Sequence, residues 1–313
     1  MKSPLCTMTL AALLLAGAAC AQSGKEAEKQ SGAQPGAQPG AQSGAQSDEQ
    51  PGEKSELEQA DDAYRAMDYK TARQIWQSEA EAGSLEAQYR LGVLFENGEG
   101  VMRDLATAAQ WYRLAADGGH AEAQHDLGVF YENGEGLDQD YAAAAALYRQ
   151  AAEQDHMLAQ YALAMMYRQG IGVSQDIAEA HRWLRPVAER GYAVAQVNLA
   201  FLYRDGLGVE RDLNEALRWF REAASREHPV AQNNLGIMYH RGMGVPRDPE
   251  AAAAWFEKAA RSGLANAQVN LGASYERGEG VAQDYQKAEQ WYRLAANQGS
   301  EEARQGLARL GAD

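Results

Sequence analysis

The chain has 313 residues, 45% of them hydrophobic, and a formal net charge of −15 at pH 7. It is long enough to bury a sizeable core. A domain this acidic is repelled by nucleic-acid phosphates and by anionic lipid headgroups, so we expect no DNA or RNA partner. Cys6 and Cys20 are its two cysteines. A mature chain cut near them has no cysteine pair for a disulfide, so its stability must come from packing.

Residues 1–21 are predicted to be a secretory signal peptide. An early lysine precedes an apolar run over residues 5–19 that is too short to span a bilayer and ends in small residues, and no other run approaches a transmembrane length. Two alternatives remain open for its removal. Cleavage at an A-x-A pattern releases a soluble chain, whereas LLLAGAAC resembles a bacterial lipobox that would acylate Cys20, with Gly17 where leucine is usual. Both predict an exported protein, periplasmic, outer-membrane-associated or secreted.

Residues 22–54 are predicted to form a disordered linker. GAQP and GAQS repeat there without any large apolar side chain. Such a segment cannot bury enough area to offset its ordering entropy. We therefore expect a spacer, which at this length spans roughly 30 Å.

A 36-residue period then runs to the end of the chain, and its first half predicts a helix, called helix A. Each copy has Ala-Gln, then Leu four residues after the Ala, then an aromatic residue four further on. This spacing places Ala, Leu and the aromatic ring on one stripe of a helix. The residue after each Leu is Gly or Ala, which indicates close approach of a neighbouring helix.

The second half of each copy predicts another helix, called helix B, which an Asp caps at its N-terminus. Glu179 and Glu215 stand three residues after their Asp and are predicted to complete capping boxes. Between the helices lies a Gly-x-Gly such as Gly98 and Gly100. No strand precedes it and no Lys-Ser/Thr follows, so we interpret it as a corner that ends helix A, not as a phosphate-binding loop.

The pattern AxxxLGxxYxxGxGVxxDxxxAxxWYxxAA, repeated every 36 residues, resembles the Sel1-like repeat, a relative of the tetratricopeptide repeat. The resemblance implies an all-α fold, a right-handed α-solenoid of stacked antiparallel helix pairs over residues 55–313, with the first helices lining a concave face. It implies a scaffold or adaptor for a protein or peptide partner, with no catalytic residues in the repeat. The predicted bounds are 84–119, 120–155, 156–191, 192–227, 228–263 and 264–299, with a terminal helix at 300–313.

The sequence predicts no catalytic, metal-binding or cofactor-binding residues. His120, His156 and His228 recur at the entry to helix A, which is typical of a structural position, and no H-E-x-x-H, S-x-x-K or G-x-S-x-G occurs. We therefore expect a non-enzyme. The alternative is a hydrolase of the β-lactamase or cell-wall type, an activity linked to cysteine-rich members of the family. The sequence does not give the oligomeric state.

The candidate partner-binding residues lie on helix A, opposite the Ala-Leu-aromatic stripe and in the middle of the array. Large apolar side chains rimmed by arginine are typical of interface centres. The other interpretation is that these apolar columns are a second face of the core. The candidates are Tyr161, Met165, Arg168, Val197, Phe201, Arg204, Ile237 and Arg241.

Overall fold

The computed structural model describes residues 54–312, so the predicted signal peptide, Cys20 and nearly all of the linker lie outside the described residues. Within that range fifteen helices follow one another, and no strand occurs there. They are α1 (Glu56–Arg65), α2 (Tyr69–Glu81), α3 (Leu85–Asn97), α4 (Leu105–Asp117), α5 (Ala121–Asn133), α6 (Tyr141–Glu153), α7 (Met157–Gln169), α8 (Ile177–Glu189), α9 (Ala193–Asp205), α10 (Leu213–Ser225), α11 (Pro229–Arg241), α12 (Pro249–Arg261), α13 (Ala265–Arg277), α14 (Tyr285–Asn297) and α15 (Glu301–Leu310). Among the described helices none is both long and apolar enough to cross a bilayer.

The described chain divides into two compact units. The N-terminal unit comprises residues 54–166 and 171–174, and the C-terminal unit comprises residues 167–170 and 175–312. In each unit consecutive helices pair, and each pair packs on the next along the chain. The predicted fold class, an α-solenoid of stacked helix pairs, is thus confirmed, with α3, α5, α7, α9, α11 and α13 as helices A.

Small side chains on helix A let the aromatic residues of helix B pack deeply. Gly92 of α3 faces the ring of Tyr112 in α4, and a Cβ atom there would lie 2.5 Å from the ring carbons. Gly236 of α11 faces Phe256 of α12 in the same way, also at 2.5 Å. Burying a ring of this size stabilises a fold by about 1.5–3 kcal/mol. The predicted close approach of neighbouring helices is therefore confirmed in both units.

The Gly-x-Gly corner meets a backbone requirement and a packing requirement. Gly98 ends α3 in the left-handed conformation, with φ 73°, as predicted, and Gly100 also has a positive φ, 68°. A Cβ atom on Gly100 would lie 2.4 Å from the Cβ of Tyr69 in the preceding helix pair. The second glycine is thus needed where the corner packs on its neighbour, which supports a structural role for the motif.

The predicted Asp caps are present, but the predicted capping boxes are wrong. In a capping box the side chain of Glu179 would accept a hydrogen bond from the N–H of Asp176. That N–H donates instead to the carbonyl of Tyr167, at 2.9 Å. Glu179 accepts from Arg182, at 3.3 Å. Glu215 stands in the same relation to its own repeat and pairs with a later arginine. The capping box does not form because the N–H of each Asp already donates to a carbonyl of the preceding helix A.

Candidate functional site

The eight candidate residues fall in both units, and those of the N-terminal unit are half-buried. Tyr161 and Met165 lie on α7, one turn apart. Each has a partner among its neighbours. Their assignment to a binding surface stays a prediction.

The other six candidates belong to the C-terminal unit, where the apolar ones are buried. Val197, Phe201 and Ile237 are 3%, 6% and 4% exposed. Arg168 and Arg204 are half-buried, and Arg241 is exposed at the last residue of α11. The burial fits the second interpretation of these columns, a further face of the core, while the arginines keep a polar edge beside it.

Phe201 and Arg204 form one packed unit. The ring of Phe201 meets Phe220 of α10 edge-on, with centroids 5.3 Å apart. The guanidinium of Arg204 lies over the Phe201 ring, 4.6 Å from its centroid. It also donates twice to the carboxylate of Asp205, at 2.7 Å each. The bidentate pair fixes the guanidinium, so its remaining donors have a defined direction.

Those donors connect successive helices A. Arg204 donates to Oδ1 of Asn234 in α11, at 3.1 Å. Arg168 donates to Oδ1 of Asn198 in α9, at 2.5 Å. Both asparagines are 4% exposed. The sequence analysis predicted the arginines but missed the asparagines, although Asn recurs at this column in three consecutive copies: Asn198, Asn234 and Asn270.

Arg168 and Arg204 occupy a helix-A column, called the arginine column, that carries Glu96 and Glu132 in earlier repeats. The residue type there follows the helix-B side chain that it touches in the same repeat. In the N-terminal unit Tyr112 donates to Glu96 at 2.5 Å, and Tyr148 donates to Glu132 at 2.6 Å. Burial, helped by nearby carboxylates, raises the pKa of Tyr112 well above its usual range, so it stays a donor. Where the ring is Phe220 it has no hydroxyl to donate, and the partner column carries arginine. This exchange can be read from the sequence only once the two columns are known to touch.

A glutamine also recurs beside the Ala of every helix A, and the sequence analysis gave it no role. In five of the six copies its side-chain amide donates to a carbonyl in the last turn of the preceding helix B, as from Gln88 to Ala80 at 3.2 Å and from Gln196 to Ala188 at 2.9 Å. A helix end has carbonyls without partners in the helix itself. The glutamine therefore joins one repeat to the next.

Two of the three recurring histidines cap helices, which confirms their predicted structural role. The Nδ1 atoms of His120 and His156 accept from backbone N–H groups at 3.3 and 3.2 Å. His120 also meets Glu86 at 3.0 Å, and this hydrogen bond lowers the pKa of the carboxyl group. Burial, together with the neighbouring His125, lowers the pKa of His156 to about 4. No group of three or more His, Cys, Asp or Glu side chains in the described range is arranged to hold a metal.

Comparison with known proteins relates this arrangement to one family. The Sel1 repeat family model matches residues 85–120, 121–156, 158–192, 193–228, 229–264 and 265–300. Among solved structures, a protective antigen present in uropathogenic Escherichia coli strains, which displays an SLR fold, is 34% identical with a TM-score of 0.75. A Sel1 repeat protein from Oxalobacter formigenes is 36% identical with a TM-score of 0.66.

The two matches cover the same share of this chain but different shares of the two related chains. Each covers 82% of this chain, but only 56% of the Escherichia coli chain and 75% of the Oxalobacter chain. This chain thus spans just over half of the first relative. No curated protein matches it.

Proposed function

Because the chain belongs to the Sel1 repeat family, we propose that it is a non-catalytic, exported scaffold that holds a protein or peptide partner on its concave helix-A face. Sel1 repeat proteins generally serve as scaffolds for protein interactions. The role of this one lies in envelope signalling, envelope assembly or contact with a host.

One observation carries the proposal. The residues that hold the repeats together recur in every copy, whereas those on the helix-A face change. In the C-terminal unit the half-buried column near the end of helix A reads Arg168, Arg204, His240 and Glu276. A fold of identical repeats needs only the packing positions to be constant. Variation in a column that reaches solvent is what a surface fitted to one partner requires.

Charge supports a partner with an acidic segment. The last turns of helix A carry Glu96 and Glu132 in the N-terminal unit, whereas Arg168, Arg204 and Arg241 stand in the C-terminal unit beside two carboxylates, Asp205 and Glu276. Within a chain of net charge −15, a basic stretch on this face steers an anionic segment towards it and repels competing cations.

The location is proposed to be the periplasm or the outer membrane, with secretion as the remaining option. The support is the apolar leader and the composition of residues 22–54, rich in Gly, Ala, Gln, Pro and Ser, which suits a domain held away from a membrane through Cys20. The intact mass of the mature protein tests this directly. A lipid-modified cysteine at the N-terminus indicates an anchor, a free N-terminus at Gln22 indicates a soluble protein, and an uncut leader contradicts export.

Site-specific crosslinking in living cells tests the binding face. Benzoylphenylalanine introduced at Arg241, exposed at the end of helix A in its repeat, is expected to capture one defined partner. The same group at Arg261, exposed at the end of helix B in that repeat, is the matched control and is expected to capture none. Arg204→Glu should weaken the capture from position 241. Equal capture from both faces, or none from either, contradicts the proposal.

A further inference from the structure

Exposed apolar side chains of the N-terminal unit gather on one edge of the helix pairs. This corner edge comprises residues 66–69, 98–105, 134–141 and 171–174, in or next to the connections from the first to the second helix of each pair. The described part of the unit exposes five large apolar side chains, and the one outside this edge is Leu114 of α4. The four on the edge are Met67, Met102, Tyr141 and Ile171, exposed by 75%, 88%, 40% and 37%. Clustered apolar exposure of this kind marks a site of interaction.

Contacts between successive repeats join these corners into one edge. The second glycine of each corner lies against the first residue of the preceding helix B. The pairs are Gly100 with Tyr69, Gly136 with Leu105, and Gly172 with Tyr141. The first of these corners is also tied to α1, because the hydroxyl of Tyr64 donates to Glu99 at 2.5 Å. The apolar side chains therefore stand on a preformed surface, which reduces the ordering that binding requires.

Packing within the chain does not account for the two methionines. Met67 has φ 62°, in the left-handed region that disfavours a residue with a Cβ, yet its side chain is mostly exposed. Met102 stands in a column where the repeat requires no large apolar side chain. The other copies carry Asp138, Ser174, Glu210, Pro246 and Ala282 there. Strained or solvent-facing apolar residues that the fold does not use point to a role in binding.

The charge around the edge selects a basic partner. Within the described chain, residues 54–166 hold 20 acidic and 8 basic residues, whereas residues 167–312 hold 18 of each. Residues 132–140, around the third corner, carry four carboxylates and no basic residue. Arg103 in the second corner is held by the backbone, its Nε donating to the carbonyl of Glu96 at 2.8 Å. A surface of this charge attracts cations and repels both anionic lipid and a second copy of itself.

We propose that the corner edge of the N-terminal unit binds a basic segment of a partner protein, in which lysine or arginine flanks apolar side chains. The two methionines fit varied apolar side chains because methionine is flexible and unbranched. The carboxylates around them pair with the cations and speed the association. This surface is separate from the helix-A face, so the inference goes beyond the proposed function and does not depend on it.

The first test selects random twelve-residue peptides displayed on phage against the full chain. We expect the enriched peptides to carry lysine or arginine beside large apolar residues. Their affinity for the double variant Met67→Gly with Met102→Ser should fall about tenfold. Enriched peptides without an excess of basic residues, equal binding to the double variant, or no enrichment at all overturns the proposal.

The single variant Met67→Gly separates binding from folding. It removes the exposed side chain and relieves the left-handed backbone, so the unfolding midpoint should rise while the affinity for the peptide falls about threefold. Leu114→Ser removes the exposed apolar side chain outside the edge and is the matched control, which should bind as the original chain does. The same loss of affinity in Met67→Gly and Leu114→Ser overturns the proposal.

A second set of variants tests the charge. Glu135→Gln with Asp138→Asn removes two charges from the edge and should weaken the peptide about threefold at low salt. Asp117→Asn with Glu153→Gln removes the same charge from the ends of α4 and α6. This control should weaken the peptide less, because salt screens distant charges. Equal weakening by the two double variants indicates unspecific attraction and overturns the proposal.

Vesicles of phosphatidylcholine are the remaining probe. Binding of the chain to them that Met102→Ser abolishes, without any selected peptide, makes the edge a lipid-contacting surface and overturns the proposal. Crosslinking from Arg241 is read separately from all of these measurements. Capture there without peptide binding at the edge leaves the scaffold function standing, and peptide binding at the edge without capture there leaves this proposal standing.

Discussion

Replacing Glu227 by glycine is expected to stabilise the protein. Glu227 lies in the corner after α10 with φ 59°, in the left-handed region, and it is exposed. Gly119 and Gly263 occupy the same corner in other repeats, with φ 97° and 88° and no atom within 4 Å of an added Cβ. The left-handed conformation costs a residue with a Cβ about 1–2 kcal/mol. Glycine also makes the unfolded chain more flexible, which reduces the gain by about 0.4–1 kcal/mol. The net gain in the free energy of unfolding is therefore about 0.5–1 kcal/mol.

Hydrogen exchange of the amides of α10 and α11, alongside urea unfolding, measures this gain. A repeat array need not unfold in one step, so local exchange is the more direct readout. We expect opening to become roughly two- to fivefold rarer. Asp155→Gly should gain less, because aspartate tolerates the left-handed region better and its carboxylate accepts from Gln160 at 3.4 Å. Gly119→Glu should lose about as much as Glu227→Gly gains. Faster exchange in Glu227→Gly, or no loss in Gly119→Glu, would refute the reasoning.

Three further predictions concern packing, pH and activity. Gly92→Ala should destabilise by about 1–2 kcal/mol in urea unfolding, since overpacking against Tyr112 exceeds the gain in helix propensity; an unchanged midpoint would contradict the contact. Folded His156 titrates near pH 4 against 6.5 for the unfolded residue, so its contribution is complete above pH 6.5 and is lost as the pH falls towards 4. His156→Asn, which keeps the helix cap, should flatten that part of the stability–pH curve. The purified protein should not hydrolyse nitrocefin, and turnover that follows protein concentration would favour the hydrolase alternative.

The local grammar of the repeat could be predicted from the sequence because it depends on contacts within a few residues. The left-handed glycine after helix A, the Asp caps and the two-helix unit follow from backbone propensity and from hydrogen bonds inside one turn. The predicted capping boxes are wrong because of a competing hydrogen bond within the same repeat. The N–H of Asp176 donates to the carbonyl of Tyr167, and the motif alone gives no sign that this donor is already used.

Which polar side chains face one another was decided by the tertiary structure. Asn233 and Asn270 are 37 residues apart, and their pairing depends on how α11 and α13 stack, to which no local rule applies. The same holds for Arg204. The sequence suggested that it lies at the rim of a binding surface, but its guanidinium contacts Phe201, Asp205 and Asn234. By itself the sequence determined the repeating unit, its corners and the face that varies. Only the packing of one repeat on the next decided which side-chain amides face each other, because burial and hydrogen bonding between repeats are properties of the folded chain.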